Sequence, residues 1–231
     1  MIMREQGRSG RLRRKAGRVT SKLEAVYGTP AIQPDDSVLD SLVGCILSQN
    51  TTDTNSDRAW RNLKERFPSW EAAARADRRR LEAAIRVAGL GPSRSRRIKE
   101  ILSYVRKTRG RYDLEFLRGL GDEEAFEYLA ALKGVGRKTA AIVLLFALGR
   151  DVFPVDTHIH VIAQRLGLVR EGASRDEVYE AMKPLVPRGK ALSLHLNLVR
   201  FGKERCRKRN PSCAGCPLRT ECLYVKTRVG A

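Results

Sequence analysis

The chain has 231 residues, enough for one compact domain or two small ones, and 42% of them are hydrophobic, which suffices for a core. No apolar run is long enough to span a bilayer, and no apolar stretch follows the basic amino terminus as a secretory signal requires. Membrane insertion and export are therefore not predicted, and the expected location is the cytoplasm, in association with the nucleoid. Lysine and arginine total 45 against 26 acidic residues, a formal charge of +19. An excess of that size favours counterion release from phosphates, which points to nucleic acid as the partner. A membrane surface fits less well, because no segment joins a basic face to a strong apolar one.

In chain order, residues 1–18 carry seven basic side chains and one acid without apolar periodicity, and they predict a mobile basic arm. From Asp36 to Ser48, Val38, Leu39, Leu42, Val43, Cys45, Ile46 and Leu47 recur at helical spacing. Asn50-Thr51-Thr52-Asp53 breaks that helix and offers caps for the next, about Thr54 to Phe67, which Pro68 ends. Trp70 to Ala88 is a third helical pattern, closed by Gly89-Leu90-Gly91-Pro92. Ser93 can cap a fourth helix running to about Thr108, within a stretch (94–111) of eight basic residues and one acid. Helices follow over Glu123–Leu132 and Arg137–Leu148, the second apolar on nearly every face. Asp156 or Thr157 caps the next helix, which Gly167 stops, and two more cover Arg175–Leu185 and Lys190–Phe201. No strand-like alternation occurs, so the fold class is all-α.

Leu132-Lys133-Gly134-Val135-Gly136-Arg137-Lys138-Thr139-Ala140 carries the first chemistry. Glycines on either side of Val135 permit a sharp turn, and the unpaired amides of the helix that follows attract an anion. The loop can hold a DNA phosphate without reading sequence, or be an ordinary helix–turn–helix corner. Lys138 lies in the first turn of that helix. The helix dipole, Arg137 and partial burial all disfavour a second positive charge there, which is how an amine becomes a nucleophile near neutral pH; the alternative is a lysine that contacts phosphate. Asp156, eighteen residues on, is an N-cap or a carboxylate that stabilises a cationic sugar transition state, or both. His158 reads as structural or phosphate-contacting rather than as a general base.

Five cysteines do not make an even disulfide set, and four of them fall within seventeen residues as Cys206-x6-Cys213-x2-Cys216-x5-Cys222. Four thiolates in one short loop can each bind one iron of a cubane. Zinc sites usually pair two close cysteines with a second close pair, and only one CxxC occurs here, so the spacing favours [4Fe–4S]. Arg207, Lys208 and Arg209 in the first loop would let the metal shape a basic surface. Cys45 reads as a small buried hydrophobe.

LKGVGRKTA, VDTHI and the four-cysteine tail, in this order and spacing, resemble the endonuclease III branch of the helix-hairpin-helix DNA glycosylases over about residues 34–225. The resemblance implies two helical domains flanking a DNA-binding cleft. Residues 34–150 would form a six-helix barrel with the helix-hairpin-helix motif, and residues 19–33 with 151–231 a helical [4Fe–4S] domain. It places Lys138 on the family's Schiff-base lysine and Asp156 on its essential aspartate. Gly134, Val135, Gly136, Arg137 and Thr139 fall in or beside the phosphate-binding hairpin, and the four cysteines on the cluster ligands. The implied activity is removal of damaged, oxidised pyrimidines from double-stranded DNA with associated abasic-site lyase chemistry, by a monomer. Two positions depart from the pattern: Lys133 stands where a proline is usual, and Asn50 where a glutamine commonly fills the gap left by a flipped base, with Gln49 beside it as a substitute. The Gln-Asn doublet and the Phe-Pro-Val-Asp run also resemble the plant 5-methylcytosine glycosylases. Mismatched thymine or 5-methylcytosine is thus an alternative substrate. An adenine-mismatch enzyme fits less well, since that branch usually lacks the lysine. A non-catalytic DNA-binding module is opposed by the pairing of Lys138 with Asp156.

Overall fold

The computed structural model describes residues 2–31 and 37–229, and every regular element among them is helical. The chain divides into two compact units, one of residues Gln33–Arg150 and one formed by Met1–Ile32 with Asp151–Ala231. The predicted helix start at Asp36 lies outside the described residues.

The Gln33–Arg150 unit holds α2 (Val38–Ser48), α3 (Asp53–Arg66), α4 (Trp70–Arg75), α5 (Arg78–Ile85), α6 (Gly91–Arg109), α7 (Asp122–Ala131) and α8 (Arg137–Phe146). Side-chain caps start four of them: Ser37, Thr52, Ser69 and Asp77 each accept a first-turn amide. The cap at Asp77 explains a departure from expectation. The pattern over Trp70–Ala88 predicts one helix and six in the unit, but Asp77 takes the Arg79 amide at 2.7 Å and splits it into α4 and α5. A short 3₁₀ turn, Arg86–Ala88, then leads into the Gly89-Leu90 corner. Part of the core lies between α2 and α8, which pack together. Leu39, Leu42, Ile46 and Leu47 of α2 and Ala140, Val143 and Leu144 of α8 are fully buried. At roughly 1.5–3 kcal/mol for each large aliphatic side chain, this seam contributes substantially to the unit's stability.

The second unit holds α1 (Ile2–Tyr27), α9 (Thr157–Leu166), α10 (Arg175–Met182) and α11 (Ala191–Glu204), with α11 packed against both α1 and α9. Here the expectation of a mobile arm over residues 1–18 is corrected. Ala16, Val19, Thr20 and Leu23 form a buried stripe at helical spacing, so the segment folds as part of α1. Three of its basic side chains have partners far along the chain. Arg18 pairs with Glu221 at 2.9 Å, Arg13 donates to the Pro184 carbonyl at 2.9 Å, and Lys15 donates to the Leu166 carbonyl at the end of α9. The apolar stripe is short and begins only near residue 16, which is why charge concealed it. No helix among the described residues is long and apolar enough to cross a membrane.

Candidate active site and cysteine loop

In the Gln33–Arg150 unit the chain turns between α7 and α8 at Gly134, whose φ of 82° is the left-handed region that favours glycine. The Val135 amide closes the turn on the Leu132 carbonyl at 2.9 Å, and the Val135 side chain is buried as its anchor. Gly136, with ordinary backbone angles, is the N-cap of α8 and makes no side-chain cap bond. First-turn amides of α8 therefore face outward with the positive end of the helix, as anion binding requires. The Arg137 guanidinium is stacked over the Phe126 ring, 5.4 Å from its centroid. Lys138 is exposed. The expected partial burial is thus not met, because Thr139 and Ala140, the next two residues, are the ones turned into the core.

Gln49 and Asn50 follow α2 in the same unit and have different fates. The Gln49 amide is used at both ends: its Nε2 donates to Thr139 Oγ1 at 3.3 Å, and its Oε1 accepts from Arg97 Nη1 at 2.8 Å. Asn50 is exposed with φ 50°. The structure thus joins Gln49 to Thr139, the neighbour of Lys138, and presents Asn50 outward. A second outward residue escaped the sequence reading. Leu90 is 58% exposed with φ 52°, an apolar side chain held in a conformation that L-residues rarely adopt. Its only signal in the sequence is a leucine between two glycines.

In the other unit Asp156 is the N-cap of α9, its Oδ1 accepting the Ile159 amide at 2.8 Å. Its second oxygen is not needed for the cap. His158 lies against Gly202 of α11, where a Cβ would come within 2.6 Å of its own, so its first role is in helix packing. The four cysteines follow α11. Cys206 is tied to the helix end by its amide, which donates to the Phe201 carbonyl at 2.8 Å; the Cys216 amide turns back to the Cys213 carbonyl at 3.4 Å. Arg165 of α9, another residue the sequence reading missed, organises this loop. Its guanidinium donates to the carbonyls of Cys206, Arg207 and Lys208 at 3.2, 2.8 and 2.9 Å and to Cys206 Sγ at 3.3 Å, and it stacks over Tyr224. Arg207, Lys208 and Arg209 are exposed. Cys45 stands in the other unit and is only half-buried.

The thiols at Cys206 and Cys216 are pushed up from the ordinary cysteine range, first by burial and then by the neighbouring thiolates at Cys222 and Cys216 or Cys213, with Arg165 opposing the rise at Cys206. Thiols that are partly or fully buried, one of them supplied with a guanidinium donor, suit a cationic group. Among the described residues, no three His, Cys, Asp or Glu side chains converge on a single ion.

Residues 43–188 match the HhH-GPD superfamily model, described as base excision DNA repair protein. The chain belongs to this superfamily. It is 43% identical over 176 residues to the Arabidopsis thaliana protein At3g47830, named as a DNA glycosylase; the match covers 75% of this chain and 60% of that protein's length. It is 32% identical over 190 residues to endonuclease III of Sulfolobus acidocaldarius, covering 81% of this chain and 82% of the relative. The fold is similar to that of an endonuclease III trapped in a covalent intermediate with DNA, with a TM-score of 0.77 and 25% identity over 91% of this chain and 95% of that one. Within the superfamily the chain is an endonuclease III-like DNA glycosylase. The superfamily match contains Lys138 and Asp156, while the four cysteines lie beyond it.

Proposed function

We propose that this HhH-GPD protein is a bifunctional DNA glycosylase and abasic-site lyase that removes oxidised pyrimidines from double-stranded DNA, with Lys138 as nucleophile. One observation carries the reading: an exposed lysine amine one residue into α8, directly after a glycine turn whose amides suit a phosphate. A DNA backbone held at the hairpin brings a sugar within reach of that amine. The target nucleotide leaves the stack, since its C1′ carbon is inaccessible inside the duplex. Asn50 occupies the vacated space, and Leu90 acts as an apolar wedge beside it.

Positive charge develops on the sugar as the glycosidic bond lengthens, and the Asp156 carboxylate stabilises it. The Lys138 nitrogen forms a bond to C1′ while the C1′–N bond to the base breaks. The base departs with the bonding electrons and takes up a proton, and the lysine nitrogen releases one. Opening of the sugar ring gives the C1′=N Schiff base. Loss of a C2′ proton then expels the 3′ oxygen with its phosphate, and the strand is cut on the 3′ side. A covalent link between protein and DNA is described for the endonuclease III of similar fold, which supports a nucleophilic route here.

Cys206, Cys213, Cys216 and Cys222 would hold a [4Fe–4S] cluster, whose contribution is to fix the loop bearing Arg207, Lys208 and Arg209 for contact with phosphates. Iron and acid-labile sulfide analysis of purified protein should give four of each per chain, as the four ligands require. Cys213→Ser should lower cluster content and weaken DNA affinity more than it slows the bound reaction. The functional test is borohydride reduction of the protein on duplexes bearing thymine glycol, dihydrouracil, a T·G mismatch or 5-methylcytosine. Trapping on the oxidised pyrimidines is expected. Trapping confined to the mismatch or to 5-methylcytosine would move the assignment to the substrates that the Gln49-Asn50 doublet suggests.

A further inference from the structure

Two arginines of α6 lie behind the segments just assigned to DNA. Arg94 is only 2% exposed, and its guanidinium donates to the carbonyls of Ala88, Gly89 and Gln49. Those oxygens close the 3₁₀ turn and α2, so two negative helix ends offset the buried cation. One turn on, Arg97 is half-buried and donates to Gln49 Oε1 at 2.8 Å, while the opposite end of the same amide donates to Thr139 Oγ1 at 3.3 Å. The Arg97 stem also runs along the hairpin: a Cβ on Gly134 would stand 2.3 Å from Arg97 Nε, so a larger residue there would displace the guanidinium. These contacts stitch together the Gln49-Asn50 turn, the Gly89-Leu90 turn and the start of α8.

Asn50 and Leu90 both have φ near +50°, and non-glycine residues keep that conformation only where the surroundings over-determine it. Arg94 supplies that determination, with one bond to the carbonyl before Asn50 and another to the carbonyl before Leu90.

We propose that Arg97 is a positioning residue that locks Gln49 between α6 and Thr139, so that Asn50, and not Gln49, enters the DNA and its entry is set in register with Lys138. Gln49 is then a structural bridge rather than a substitute for the gap-filling glutamine. The inference rests on the function proposed above and deepens it by separating the roles of the two amides.

A planar fork is what the bridge requires. Arg97 offers Nη1 to Gln49 while Nε lies along the hairpin backbone, and a lysine ammonium cannot do both. The test uses full-length Arg97→Met, Arg97→Lys and Gln49→Ala, and the double variant of Gln49→Ala with Arg97→Met. Base extrusion is followed by 2-aminopurine fluorescence on a lesion duplex, and the chemical step by the rate of borohydride trapping. Each single change, lysine included, should slow extrusion and trapping by about 10-fold, and the double change should be no slower than the worse single, since the residues act through one bridge. Affinity should stay within about twofold, and the slope of log Kd against log salt should not move.

Rescue of the rate by Arg97→Lys, or loss of about one phosphate from the salt slope, would make Arg97 a phosphate ligand and overturn the proposal. Multiplying effects in the double variant would do the same. Gln49→Ala leaves both arginines in place and carries the test should Arg97→Met fold poorly. Fluorescence reports extrusion without any Schiff base. Extrusion by wild-type protein with no trapped adduct would therefore sink the lyase reading alone, and normal extrusion by the variants would sink this one alone.

Discussion

Lys138→Gln is expected to abolish borohydride trapping and to reduce base release by about 10⁴-fold or more, the scale on which removal of a catalytic nucleophile acts. Glutamine keeps most of the side-chain length and can still donate a hydrogen bond, so the hairpin and its amides are untouched. The amine is exposed, and stability should therefore change by no more than about 0.5 kcal/mol. Affinity for an abasic duplex should fall by only the equivalent of one phosphate contact. Single-turnover assays alongside a thermal melt separate these effects. Trapping that survives in Lys138→Gln would assign the nucleophile elsewhere. An affinity loss as large as the rate loss would reduce Lys138 to a binding residue.

The second large effect is expected at Asp156, where a cap and a charge can be told apart. Asparagine is as good an N-cap as aspartate, so Asp156→Asn retains the bond to the Ile159 amide, now 2.8 Å long, and the stability of α9. It removes the negative charge, and single-turnover base release should drop by about 10²–10³-fold, the usual loss when one electrostatic stabiliser of a transition state is deleted. Asp156→Ala should show that same rate loss and, in addition, about 1 kcal/mol of lost stability from the missing cap. Wild-type rates in the asparagine variant, with destabilisation in the alanine variant, would leave Asp156 a cap and nothing more.

How far these expectations could be read without coordinates differs from residue to residue. Asp156 as a cap, the turn at Gly134 and the start of α8 are interactions between near neighbours in the chain, and spacing shows them directly. The helix over Val38–Ser48 follows from its apolar period in the same way. Other readings failed for a common reason. Charge masked the short buried stripe of α1, and Asp77 cut a helical pattern whose apolar period runs on through it. Lys138 was expected to be partly buried because α8 is apolar, yet the direction of each residue around the helix depends on where α2 packs.

The order of residues alone determined an all-helical chain, a glycine turn delivering an amine at a helix start, and a loop able to present four thiols. Only the tertiary structure decided which polar side chains build the site and which act in it. Arg94 reaches Gln49 across 45 residues and Arg165 reaches Cys206 across 41, and each looks in the sequence like one more member of a basic surface. A cap or a turn joins groups that the chain already holds together. A buried guanidinium is satisfied by carbonyls from distant helix ends, and those partners exist only once the helices have packed.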